Sequence, residues 1–126
     1  MTARRLLLID DDVSIRLVAQ AGLEQGGDWH VSTAASGPEG LAMAEAEQPE
    51  VILLDLVMPG MDGRTTLSLL QDNTRTRDIP VVLLTATLQT SEEPPWAGLP
   101  VAGVLAKPFD PLRLSAQVAD VLGDPT

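Results

Sequence analysis

Each of four short apolar runs in this chain ends on a residue suited to phosphate or metal chemistry. Leu6–Ile9 leads into Asp10, Asp11 and Asp12, and Val51–Leu54 leads into Asp55. Val81–Leu84 leads into Thr85, and Val104–Ala106 into Lys107, the only lysine among eight basic residues. Carboxylates gathered in one place resist ionising together. A hard divalent cation removes that conflict, and Mg²⁺ favours oxygen ligands, with one or two protein carboxylates and several waters. Asp10, Asp11 and Asp55 are therefore candidate ligands for one Mg²⁺, while Asp12 suits the N-cap of a following helix. Asp55 is also a candidate nucleophile, since an aspartate can form an aspartyl phosphate. That chemistry needs shielding of the phosphoryl oxygens and donors in the transition state. The Thr85 hydroxyl and the Lys107 ammonium could supply the donors. A chain that otherwise uses arginine points to a need at position 107 for a compact, flexible charge.

These residues can meet only if their strands are neighbours. Parallel strands buried on both faces read as continuous apolar runs, and ligands of open α/β sheets sit beyond the carboxyl ends of the strands. The chain alternates between the two element types. Strands are expected over Arg4–Ile9, Trp29–Thr33, Val51–Asp55, Val81–Leu84 and Gly103–Ala106. Helices are expected from Val13 to Gln25, from Ser36-Gly37-Pro38-Glu39 onward, from Arg64 to Gln71, and after an Asp110 cap with Pro111 in the first turn. The first helix is expected to turn Ile15, Val18, Ala19 and Gly22 to one face. The last should present Leu114, Val118, Val121 and Leu122. The pattern predicts a single domain over residues 1–126: a flavodoxin-like (βα)5 fold with a five-stranded parallel sheet in the order 2-1-3-4-5. In that order the strands bearing Asp10 and Asp55 are adjacent. The stretch before the fifth strand contains Pro94-Pro95, which forbids a regular helix through its middle, so the fourth helix region should be irregular.

Composition narrows the function further. The chain has 126 residues with 44% hydrophobic content, enough for one core, and no cysteine, so thiolate chemistry and disulfides are excluded. His30 is the only histidine, which excludes a multi-histidine metal site. The net charge of −10 repels a phosphate backbone, so no direct nucleic-acid binding is expected. No apolar stretch has the length of a membrane span or of a signal peptide's core, so a cytoplasmic protein is expected and no membrane partner.

Four segments together resemble the receiver domain of two-component response regulators. They are Leu8-Ile9-Asp10-Asp11-Asp12, the stretch Leu53-Leu54-Asp55-Leu56-Val57-Met58-Pro59-Gly60-Met61-Asp62-Gly63, then Leu84-Thr85-Ala86 and Lys107-Pro108-Phe109. The resemblance spans essentially the whole chain. It implies that Asp55 accepts a phosphoryl group from a sensor histidine kinase or a histidine phosphotransfer protein, with Mg²⁺ as cofactor. By the same resemblance Asp11 is a direct Mg²⁺ ligand, Asp10 acts through metal-bound water, and the Val57 carbonyl is the third protein ligand. Thr85 is then the switch hydroxyl and Lys107 its charged partner. The implied protein is a signalling module whose only chemistry is its own phosphorylation and dephosphorylation. The kinase-facing surface would include the first helix near Ile15 and Arg16, and Pro108. Its downstream target cannot be read from the residues.

The chain departs from the family pattern in three places. Val104 stands where an aromatic residue is usual, three positions before the lysine, which removes the aromatic partner of a threonine-coupled switch. Pro94-Pro95 lies where the fourth helix usually presents an output surface, with Trp96 beside it as a candidate partner anchor or core cover. Val57 is apolar where a polar side chain could position the attacking water, so the phosphoryl lifetime is expected to differ. Two other readings stand beside this one. Asp10-Asp11-Asp12-Val13 also resembles the nucleophile motif of haloacid-dehalogenase-type phosphatases, though Asp55 and its loop would then be unexplained. A receiver-like interaction module that works without phosphorylation is the second.

Overall fold

The computed structural model describes residues 4–25, 29–56, 58, 60–85, 99–107 and 109–123. Its strands are β1 (Arg4–Ile9), β2 (Trp29–Ala34), β3 (Val51–Asp55), β4 (Val81–Thr85) and β5 (Gly103–Ala106). Its helices are α1 (Val13–Gln25), α2 (Gly37–Glu47), α3 (Gly63–Asp72) and α4 (Leu114–Leu122). The strands form one parallel sheet in the order β2-β1-β3-β4-β5, as the alternation of elements predicts. The predicted irregular fourth helix region, with Pro94, Pro95 and Trp96, lies outside the described residues.

Side chains alternate across a strand, so the apolar runs feed two cores. Leu6, Leu8, Val51, Leu53, Val82, Leu84 and Leu105 pack with Ala19 and Leu23 of α1 and with Leu114 and Val118 of α4. Leu7, Ile9, Ile52, Leu54, Val81 and Leu83 pack with Ala44 of α2 and with Leu67 and Leu70 of α3. The inward side of α1 differs from the expected one. Ala19, Gly22 and Leu23 are buried, while Val18 is 45% exposed and Ile15 is partly covered. The cause is close packing at Gly22, where a Cβ would lie 2.3 Å from the Pro111 carbonyl oxygen. The small residues let α1 approach the segment before α4, and Val18 is rolled toward solvent.

Caps set the helix starts. The Asp12 carboxylate accepts from the Ser14 and Ile15 amides, at 2.8 and 3.4 Å, and Asp62 accepts from the Thr65 amide at 2.9 Å. These bonds to the ionised form lower the pKa of both carboxyls. Ser36 caps α2 through the Glu39 amide, and the Glu39 carboxylate accepts in return from the Ala35 amide. The expected Asp110 cap is displaced. Its carboxylate accepts from the Leu112 amide within a turn, and α4 begins at Leu114 after Arg113. At the β2 edge of the sheet, α1 covers the backbone: Val31 donates its amide to Glu24 and accepts at its carbonyl from Gln20.

Candidate functional site

Strand register brings the chemistry together. Ile9 lies beside Leu54, so the next residues along β1 and β3, Asp10 and Asp55, emerge side by side. Asp55 lies beside Leu84, and Thr85 beside Ala106. One step further, the Lys107 amide donates to the Thr85 carbonyl at 2.8 Å. Asp10, Asp11 and Asp55 each offer a carboxylate oxygen, and these three oxygens lie within 4.8 Å of one another. Asp10, Asp55 and Thr85 are buried, whereas Asp11 is exposed at the rim.

Lys107 reaches into this cluster from the end of β5. Its ammonium donates to Asp10 Oδ2 at 2.7 Å and lies 3.4 Å from Asp55 Oδ2. Burial by itself lowers the pKa of this ammonium. The Asp10 hydrogen bond and the charges of Asp55 and Asp10 outweigh it, and the net shift is upward. The other oxygen of Asp10 accepts from the Asp12 amide at 2.9 Å. Both oxygens of Asp10 are thus engaged within the protein. The donor set is all hard oxygen, carries excess negative charge and opens to solvent at Asp11, so it suits a divalent cation of the Mg²⁺ type.

Two supporting residues were not legible as such in the sequence. Gly63 opens α3 against the backbone of the candidate acceptor. A Cβ there would lie 2.5 Å from the Asp55 carbonyl oxygen and 2.6 Å from Leu56 Cα, and the Gly63 amide donates to the Leu56 carbonyl at 3.0 Å. The turn before it uses Gly60 at φ 75°, a conformation that favours glycine. The second residue is Arg16, whose Nη1 donates to the Asp10 carbonyl at 2.8 Å. A glycine closing a turn-rich loop could have flagged position 63. A bond to a backbone carbonyl leaves no such mark. Val57 and Pro108, named above for their roles beside Asp55 and Lys107, lie outside the described residues.

The family model for the response regulator receiver domain matches residues 6–119. The response regulator PleD of Caulobacter vibrioides is 41% identical over 119 residues, which cover 94% of this chain and 26% of PleD. The DNA-binding dual master transcriptional regulator RpaA of Synechocystis sp. is 38% identical over 94% of this chain and 48% of its own length. The chain therefore spans about a quarter to a half of the length of these relatives. Among solved structures, the chemotaxis response regulator CheY4 of Vibrio cholerae superposes with a TM-score of 0.85 at 30% identity, covering 95% of this chain and 99% of that one. The N-terminal domain of a response regulator receiver protein from Methanoculleus marisnigri gives 0.77 at 35% identity, over 98% and 100%.

Proposed function

The chain belongs to the response regulator receiver family, and from that premise we propose that Asp55 is its phosphoacceptor in a Mg²⁺-dependent reaction. Receiver domains are signalling modules rather than turnover enzymes, and the proposed chemistry is confined to this chain's own carboxylate. The observation that carries the reading is the placement of Lys107, which engages Asp10 while lying 3.4 Å from Asp55. A carboxylate oxygen of Asp55 attacks phosphorus, and the bond from phosphorus to the donor's nitrogen or oxygen breaks. The product is an acyl phosphate on Asp55. The Lys107 ammonium neutralises charge on the phosphoryl group, and the Thr85 hydroxyl is drawn to it from the end of β4. Asp10, Asp11, Asp55 and the Val57 carbonyl would hold the cation, which when bound neutralises the phosphoryl oxygens as they approach the carboxylates. Phosphorylation adds charge and acceptor oxygens, and the move of Thr85 toward them is the conformational signal.

The proposed donor is a sensor histidine kinase or a histidine phosphotransfer protein, docking on α1 and the segment after β5. Support for that surface comes from its exposed apolar residues, Val13, Leu17 and Val18 on α1 and Leu112 beyond Lys107. The domain is proposed to extend over residues 1–126. RpaA is named as DNA-binding. For this domain the net charge of −10 argues for protein partners instead. No helix among the described residues is long and apolar enough to cross a membrane. Nothing favours the phosphatase reading or the phosphorylation-independent module.

Intact-mass spectrometry after incubation with acetyl phosphate tests the proposal. One phosphate adduct is expected with Mg²⁺, none with EDTA, and none for Asp55→Asn. An adduct that survives in Asp55→Asn would overturn the assignment of the acceptor. Wild-type protein that binds Mg²⁺ but takes neither phosphate nor a beryllofluoride mimic would overturn the phosphoacceptor reading.

A further inference from the structure

We propose that Arg16 is a positioning residue for the metal-binding carboxylates, acting through the peptide bond between Asp10 and Asp11. The inference rests on the Mg²⁺ site described above and deepens it. β1 and β2 run in register to the pair Ile9 and Ala34, and the Asp10 amide donates to the Ala34 carbonyl at 3.1 Å. In a continuing parallel ladder the Asp10 carbonyl would accept from the amide of Ser36. That partner is lost, because Ser36 leaves the sheet to become the N-cap of α2. A buried carbonyl without a donor is costly. The Arg16 guanidinium, from the first turn of α1, supplies the donor at 2.8 Å.

The consequence falls on Asp11. The Asp10 carbonyl belongs to the peptide plane whose amide is that of Asp11, so whatever orients one orients the other. Asp10 is held independently: its carboxylate accepts from Lys107 and from the Asp12 amide. Among the described residues no hydrogen bond or ion pair involves the Asp11 carboxylate, which is exposed. Its direction toward Asp10 and Asp55 is therefore set by the backbone, and Arg16 fixes that backbone. Because Arg16 is also a cation near an acidic cluster, position and charge act on Mg²⁺ with opposite signs. Loss of the anchor weakens binding, whereas loss of a nearby positive charge tightens it.

Titration calorimetry with MgCl₂ on wild type, Arg16→Met and Arg16→Lys separates the two effects. Arg16→Met should bind Mg²⁺ about tenfold more weakly, the size typical of losing an outer partner of a metal site. Arg16→Lys, which keeps a donor and the charge, should recover most of the affinity. The Asp11 amide ¹⁵N resonance should move in Arg16→Met without Mg²⁺ and return toward wild type in Arg16→Lys. Unchanged or tighter binding by Arg16→Met would overturn the inference. If Arg16→Met melts below the assay temperature in EDTA, Arg16→Gln takes its place, and wild-type Mg²⁺ affinity with an unmoved Asp11 resonance in that variant would overturn the inference. Wild type that binds no Mg²⁺ would instead refute the metal site on which the inference rests.

Discussion

Lys107 sits between two carboxylates and bonds one of them closely, at 2.7 Å from Asp10 and 3.4 Å from Asp55. Removing it by Lys107→Met would leave a fully buried Asp10 carboxylate with its Asp12 amide bond and without its ion-pair partner. Breaking such a pair costs several kcal/mol when both groups are deeply buried. With the lysine side chain 15% exposed, the expected loss is about 2 kcal/mol. Added Mg²⁺ should stabilise this variant more than wild type, which melting curves with and without the cation will measure. The pH dependence has a definite sign. A lysine whose folded pKa is raised contributes stability that is fully present below its unfolded value, near 10.4, and lost as pH rises through the folded one. The difference in unfolding free energy between wild type and Lys107→Met should stay constant through neutral pH and shrink only at the alkaline end. Asp10, Asp55, Thr85 and Lys107 were legible in the sequence because strand ends converge in any parallel sheet of this order. Arg16 was not, because its role depends on a backbone carbonyl stranded where α2 begins.

The contact between α3 and β3 depends on the absence of a side chain. Gly63→Ala would place a methyl group 2.5 Å from the Asp55 carbonyl oxygen and 2.7 Å from that of Leu56. Backbone atoms cannot swing aside as a side chain does. The expected cost is about 1–3 kcal/mol, read as a lower urea midpoint. Since the displaced backbone carries Asp55, the rate of adduct formation with acetyl phosphate should also fall, and a normal rate in the destabilised variant would count against this account. Element types and the sheet order followed from the apolar runs and the turn residues between them. The roll of α1 did not follow, because Val18 and Leu23 are equally apolar. What turned Leu23 inward was the fit of Gly22 against the Pro111 backbone, a contact between residues 89 positions apart. The start of α4 escaped for a related reason. Asp110 and Pro111 carry the marks of a helix start but serve a separate turn, with the Arg113 amide bonded to the Asp110 carbonyl.

Across the whole molecule, the proposed phosphoacceptor edge and the start of α1, with its exposed apolar Val13, lie at the same end of the sheet, where Asp10 gives way to Val13. A protein donor docked there must satisfy both. Leu17 is 63% exposed and Leu112 71%, so replacing them should not disturb the core. Leu17→Asp and Leu112→Asp are each expected to slow transfer from a histidine donor by about tenfold, the effect of losing 1.4 kcal/mol of binding. Adduct formation with acetyl phosphate should be unchanged, because a small donor needs no docking surface. Equal slowing with both donors would place these residues in the site's integrity instead. The net charge of −10 bears on the same scale, since a basic partner would associate faster at low salt. Partner identity could not be read from this chain, because it depends on a second surface that the sequence does not contain.

The ammonium between Asp10 and Asp55 belongs to the only lysine in the sequence. Protein labelled only with lysine carrying ¹⁵N at Nζ would yield a single side-chain signal in an NMR spectrum, with no background from elsewhere in the chain. That signal originates among the carboxylates themselves. Cation binding, acyl phosphate formation and its decay could each be followed in real time on one peak, without a dye, a tag or an engineered substitution.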